Sequence, residues 1–168
     1  MDFSIDDFVV EARKAQKSDA YVEKHVQYAQ NLIRQGLPVI FDVGHLAHYM
    51  NIPKERLLEI VQRKEYYYYL VPKKNGAKRR IIVPNDDLMS VQRWINKQIL
   101  QTISPLDCVT GFVQGKSIVN NAKIHENKKY ILNLDLKDFF ESISIDRVER
   151  LFYSLGYKQE IALFLANI

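Results

Sequence analysis

The sequence predicts an α+β fold on three observations. Apolar residues recur at helical spacing along much of the chain, as in Leu88, Val91, Ile95 and Ile99. Tyr66 to Pro84 instead reads as two runs of strand formers around Asn75-Gly76. Ile131 to Leu136 sets Leu132, Leu134 and Leu136 on one side and Ile131, Asn133 and Asp135 on the other, the period of a strand. The expected layout is a helical region over 1–63, a hairpin, helix and loop over 64–129, and a region built on the acidic strand over 130–168.

Composition narrows the classes. The chain has 168 residues, enough for one modest core, and 47% hydrophobic content with 26% charge excludes wholesale disorder. A net charge of +4 permits a polyanionic partner. Cys108 is the single cysteine, which excludes an internal disulfide, and the four histidines lack zinc-ligand spacing. Near the start the longest apolar run is Phe8-Val9-Val10, too short for a signal peptide or a membrane span. A cytoplasmic protein with no membrane partner is expected.

Residues 1–18 read as a short amphipathic helix or a loose arm. A helix is expected from about Asp19 to Gln35, with Val22, Val26, Ala29 and Ile33 recurring at helical spacing and Gly36 and Pro38 ending it. Two short helices follow between Asp42 and Arg63. Asp42 caps the first, Pro53 fits the first turn of the second, and Leu57, Leu58 and Val61 are its buried side. Residues 46–57 have helix-turn-helix spacing. The pair reads as a DNA-reading unit or as two packed helices, and the mixed charges of the second helix favour packing.

In the hairpin, Asn75-Gly76 is expected to supply the two positive-φ positions of a type I′ turn. Around it cluster Lys73, Lys74, Lys78, Arg79 and Arg80. Like charges across a hairpin repel, so this density exceeds what keeping an edge soluble requires. The favoured reading is a phosphate-binding tip.

Asn85 or Asp86 caps a helix to Leu100, and Ser104-Pro105 marks a loop. Gly111 to Ser117 is glycine-flanked but lacks P-loop spacing; its Lys116 reads equally as a solvated lysine or a nucleic-acid contact. Asp135, at the carboxyl end of its strand, is costly to bury unpaired. A metal ion is one partner; capping the next helix is the other reading. Ser144 caps a helix to Leu155, closed by Gly156. In the last helix Ile161, Phe164, Leu165 and Ile168 run on without a stop signal. That suggests a truncated chain whose final apolar stripe faces a missing part.

Taken in order, these segments resemble the bacterial retron-type reverse transcriptases, relatives of the group II intron enzymes. The resemblance rests on Arg79-Arg80-Ile81-Ile82-Val83-Pro84, the Gln92–Trp94 helix, Gly111-Phe112, Ser117 to Ala122, and Leu132 to Phe140. It covers about residue 37 onward. It implies the fingers over 64–129 and the first part of a polymerase palm with antiparallel strands over 130–168. The family's second catalytic strand, Tyr-x-Asp-Asp, has no counterpart in this sequence.

The implied activity is RNA-directed DNA synthesis, with two Mg2+ ions in the complete enzyme and no polymerisation expected from this stretch alone. Asp135 would be the catalytic carboxylate bridging both ions, and the Leu136 carbonyl would hold the nucleotide-side one. Phe140 aligns with the aromatic that excludes a 2′-hydroxyl, and reads equally as a core aromatic, with Phe139 the better core candidate. Asp138 would sit at the mouth of the nucleotide pocket. Arg79 aligns with the arginine that clamps the triphosphate, with Lys78 and Lys74 as weaker candidates. Lys73, Arg80 and Lys116 would contact nucleic acid. Implied partners are template RNA, primer and product DNA, deoxynucleoside triphosphates and a structured non-coding RNA; a role in phage defence is implied as well. A DNA-binding regulator and a non-catalytic RNA scaffold are the competing classes.

Overall fold

Side-chain caps start several of the helices close to where the sequence places them. The computed structural model describes residues 3–73 and 76–168. Helix α1 spans Ile5–Lys14, with the Ser4 hydroxyl accepting from Asp7 N at 3.2 Å. Helix α2 spans Asp19–Arg34, capped by Ser18 through Tyr21 N at 3.3 Å. Asp42 caps α3, Val43–Tyr49, through His45 N at 2.9 Å. Helix α4 spans Lys54–Arg63. Asn85 caps α5, Asp86–Gln98, through Leu88 N at 2.9 Å. Each cap satisfies an amide that the first helical turn leaves without a partner.

The chain divides into two units. The first takes in Met1–Thr102 and Ser144–Ile168, the second Ile103–Ile143. In the first unit, strands β1 (Tyr66–Pro72) and β2 (Lys78–Pro84) form an antiparallel pair, the only sheet among the described residues. The fold is helix-rich α+β, as predicted. The second unit contains α6, Ile118–Ile124. Helices α7 (Ile145–Ser154) and α8 (Gln159–Ala166) belong to the first.

The core of the first unit joins residues far apart in sequence. Leu32, Leu46, Leu57, Leu88, Phe152 and Tyr157 are all buried in one cluster. Helix α8 adds Ile161, Ala162 and Leu165 to it, and Phe164 and Ile168 pack against it. The expectation that this last stripe faces a missing part is therefore corrected. It is satisfied within the unit, and Asn167 caps the helix. Burying such side chains is worth roughly 1.5–3 kcal/mol each.

Three local expectations also change. Helix α2 buries Leu32 and leaves Ile33 exposed, and α4 buries Ile60 and leaves Leu58 exposed. Adjacent apolar pairs fit a helical stripe almost equally well, and the neighbouring helices choose between them. Pro53 stands one position before α4, with φ −59° and ψ 143°, rather than inside its first turn. The start of the chain is a helix rather than a loose arm. Phe3 and Phe8 pack on Phe41 with ring centroids 5.4 and 5.2 Å apart.

Candidate functional site

The hairpin departs from its expected turn in a way that reassigns its side chains. A two-residue Asn75-Gly76 turn would place Pro72 opposite Arg79. In the structure Pro72 pairs with Lys78, Val71 with Arg79 and Leu70 with Arg80. Lys73 N donates to Ala77 O at 2.6 Å and Gly76 N to Lys73 O at 3.0 Å, with Gly76 at φ +81°. That is the bonding of a three-residue connection ending in a left-handed glycine. Lys74 and Asn75, the expected nucleotide contact and the expected first positive-φ position, lie outside the described residues.

A one-residue change of register exchanges every side chain of one strand between faces. Here it puts Arg80 and Lys78 on the face of Tyr66, Tyr68 and Leu70. Arg79 lies on the other face with Tyr67, Tyr69 and Val71. The Arg80 guanidinium carbon stands 4.1 Å from the Tyr68 ring centroid, a cation–π contact across the strands. Both faces are exposed over most of their length. Among the described residues, Lys73, Lys78, Arg79 and Arg80 have no carboxylate in ion-pair range. The hairpin is a positive ribbon faced with aromatic rings, and unoccupied cations of this kind attract phosphate.

Asp135, Leu136, Asp138, Phe140 and Lys116 lie in the second unit. The strand expected over 131–136 is not present: this segment joins no ladder among the described residues. Alternation specifies an extended chain and its two sides, but a strand also needs a partner to take its amides and carbonyls. Leu132, Leu134 and Leu136 are 80%, 77% and 69% exposed, so this alternation has no core to face. No residue of the second unit is buried. Asp135 also caps no helix, since turns rather than a helix follow it.

Asp135 lines a shallow hollow with Leu136, Asp138, Phe139, Phe140 and Glu141. Among the described residues no Lys or Arg forms an ion pair with its carboxylate. Asp138 sits at φ +51°, a left-handed conformation that Asp tolerates better than most residues, and it turns the chain sharply after Leu136. Ser142 closes the turn, its N donating to Asp138 O at 3.1 Å and its hydroxyl to Phe139 O at 2.6 Å. The Phe139 and Phe140 rings meet at 5.7 Å and 65°. Phe140 is 72% exposed and Phe139 48%, so neither is a core residue here. Among the described residues no three His, Cys, Asp or Glu side chains gather as a metal site.

Lys116 is engaged within its own loop, donating to Asp107 O at 3.0 Å and Val109 O at 2.8 Å. The α3–α4 pair forms with a turn at Asn51, φ +55°. Its two arginines are engaged by carboxylates: Arg56 bonds Glu59 at 2.6 Å and also Asp87, and Arg63 bonds Glu59 at 3.0 Å. The Arg56 hydrogen bond, reinforced by Arg63, holds the Glu59 carboxyl below its usual range. Sequence reasoning missed the Tyr68–Arg80 stack. The run Tyr66 to Tyr69 is the signal that could have found it, but the register that selects the partner of Tyr68 depends on the turn.

No family model matches the chain. Several curated relatives do, and those compared below are all retron reverse transcriptases. The chain is 34% identical over 147 residues to the retron Mx65 reverse transcriptase of Myxococcus xanthus, covering 80% of this chain and 33% of that protein. It is 39% identical over 88 residues to the retron Ec86 reverse transcriptase of Escherichia coli, covering 52% and 28%. It is 32% identical over 86 residues to the retron Mx162 reverse transcriptase of Myxococcus xanthus, covering 51% and 18%. The chain thus spans a third or less of the length of these relatives. By this similarity, carried over most of its residues, the chain belongs to the retron reverse transcriptase family.

Proposed function

We propose that this chain supplies the fingers and the first catalytic carboxylate of an RNA-directed DNA polymerase. The observation that supports this most is Asp135, exposed and unpaired in a hollow it shares with Asp138 and Phe140. An uncompensated acid beside an aromatic, in a chain of this family, is suited to a metal-bound nucleotide. The fingers would be residues 64–129 and the palm would begin at 130.

The donor types fit Mg2+, a hard ion that takes carboxylate and carbonyl oxygen. Asp135 and the Leu136 carbonyl would hold the ions, and further carboxylates would come from a Tyr-x-Asp-Asp strand that this sequence does not contain. When bound, the ions activate the primer 3′-hydroxyl and neutralise charge on the reacting phosphate. The chain's own side chains bind and orient. Arg79 is the triphosphate clamp, with Lys78 and Lys74 assisting. Asp138 borders the nucleotide pocket. Phe140 stands under the sugar and leaves no room for a 2′-hydroxyl. Lys73, Arg80 and Lys116, whose ammonium keeps one N–H free, contact the nucleic-acid backbone. A single carboxylate under-neutralises two divalent ions, so these 168 residues alone are expected not to polymerise.

Primer extension on an RNA template tests the reading, using the chain joined to its family's catalytic strand. Synthesis with deoxynucleotides is expected, and Phe140→Ala should admit ribonucleotides while retaining deoxynucleotide synthesis. Absence of templated synthesis counts against the polymerase; unchanged sugar selection in Phe140→Ala counts against the role given to Phe140.

A chain that binds RNA without copying it is the second reading, favoured by the unpaired hairpin cations. Salt-dependent RNA binding without Mg2+-dependent synthesis would select it. A duplex-reading α3–α4 pair is less well supported, because Arg56 and Arg63 are already paired.

A further inference from the structure

Helices α1 and α3, with Phe41, enclose a hollow of about 410 Å3. Its floor is aromatic. Phe8 stacks on Phe41 at 5.2 Å, Phe41 on His45 at 5.5 Å and His45 on Tyr49 at 4.8 Å, and Phe3 stands edge-on to Phe41 at 5.4 Å. These rings are half-buried, whereas Asp7 and Glu11, which also line the hollow, are exposed. The two acids are four residues apart and so share one side of α1. We infer that this hollow is a docking site for an arginine side chain of a partner protein. The inference is independent of the polymerase reading, because it uses neither the hairpin nor Asp135.

Charge complementarity selects the occupant. Asp7 has no cation in ion-pair range among the described residues. Glu11 pairs with Lys14 at 2.7 Å, but both side chains are exposed, so the pair is weak and a second cation can share the carboxylate. Among the described residues no Lys or Arg lines the hollow. Burial lowers the pKa of His45, so its ring is neutral at pH 7 and the stack offers π faces rather than charge. A guanidinium is flat and always charged, lies against rings, and pairs a carboxylate through two N–H groups. An ammonium is more strongly hydrated and makes no such fork, so lysine fits less well. The fold already uses this chemistry once: the Lys158 ammonium stands 5.5 Å from the Phe41 centroid, although Lys158 does not line the hollow. The acidic rim disfavours a phosphate-bearing ligand. The hollow exceeds one guanidinium in volume, so apolar neighbours of the arginine on a protein segment would fill the rest.

The experiment is fluorescence anisotropy of a labelled Gly-Leu-Arg-Leu-Gly peptide with this chain, and of versions with lysine or citrulline in place of the arginine. Citrulline keeps the shape and removes the charge. The arginine peptide should bind roughly tenfold more tightly than the citrulline peptide, with lysine between them. Asp7→Asn should weaken the arginine peptide about threefold. Asp6→Asn removes the same charge from the same helical turn but lies outside the hollow, and should change binding by less than about twofold. Phe3→Leu keeps an apolar side chain without a π face and should weaken binding about threefold. Equal binding of the arginine and citrulline peptides, or equal losses from Asp6→Asn and Asp7→Asn, would overturn the inference. Free arginine competing as well as the unlabelled peptide would give the hollow to a small cation. Salt-sensitive self-association abolished by Asp7→Asn would give it to a second copy of this chain. Either result would overturn the assignment to a partner protein.

Discussion

The Tyr157 hydroxyl donates to the Pro38 carbonyl at 3.1 Å, joining positions 119 apart in sequence. It ties the turn between α7 and α8 to the segment that follows α2. Tyr157 is buried, and burial raises the pKa of its phenol. Tyr157→Phe keeps the ring and strands the carbonyl, so it should cost about 1 kcal/mol. Tyr157→Ala also opens a cavity and should cost about 3–5 kcal/mol. Urea unfolding measures both. Equal midpoints for Tyr157→Phe and the parent would mean that water replaces the bond freely.

Gly156, beside it, has φ +100°, and an added Cβ would come within 2.8 Å of the Asn31 amide nitrogen. Gly156→Ala is expected to cost about 1–2 kcal/mol from the left-handed backbone alone. Adding Asn31→Ala should recover only the part due to crowding, because the backbone cost remains. Full recovery in the double variant would assign the whole effect to the contact.

His45 stacks between Phe41, at 5.5 Å, and Tyr49, at 4.8 Å. Burial lowers its pKa, Asp42 opposes that, and His48 adds to it. The folded protein therefore takes up this proton at lower pH than the unfolded chain. The stabilising effect is complete above the unfolded value of about 6.5 and is lost as pH falls from there through the folded value. Thermal midpoints should drop between pH 7 and 5, and His45→Phe should flatten that drop. An equal drop in both proteins would place the titration elsewhere.

Much of this fold is local and so was legible in the sequence. Asp42 and Asn85 cap helices because a short polar side chain can reach the first free amides, whereas Ser144, read as a cap, precedes its helix without a side-chain cap hydrogen bond. Leu88, Val91, Ile95 and Ile99 are buried as their spacing requires. The hairpin was legible as a hairpin, but its register turned on one residue of loop length, and that residue decides whether Arg79 or Arg80 meets Tyr68. The alternation around Asp135 was legible while its pairing was not, because ladder partners come from elsewhere in a fold. Helix α8 was misread for a related reason: its stripe is plain in sequence, but the surface that covers it is not.

The central claim is that Asp135 is the carboxylate around which DNA synthesis on RNA is organised. Its most direct test is primer extension on an RNA template with Mg2+ and deoxynucleotides, comparing Asp135→Asn with the parent in a chain extended through its family's catalytic strand. Asparagine keeps the size and removes the charge, so folding and RNA binding should persist. Synthesis is expected to fall by orders of magnitude, because metal-assisted transfer depends on that charge. Undiminished synthesis by Asp135→Asn would contradict the account.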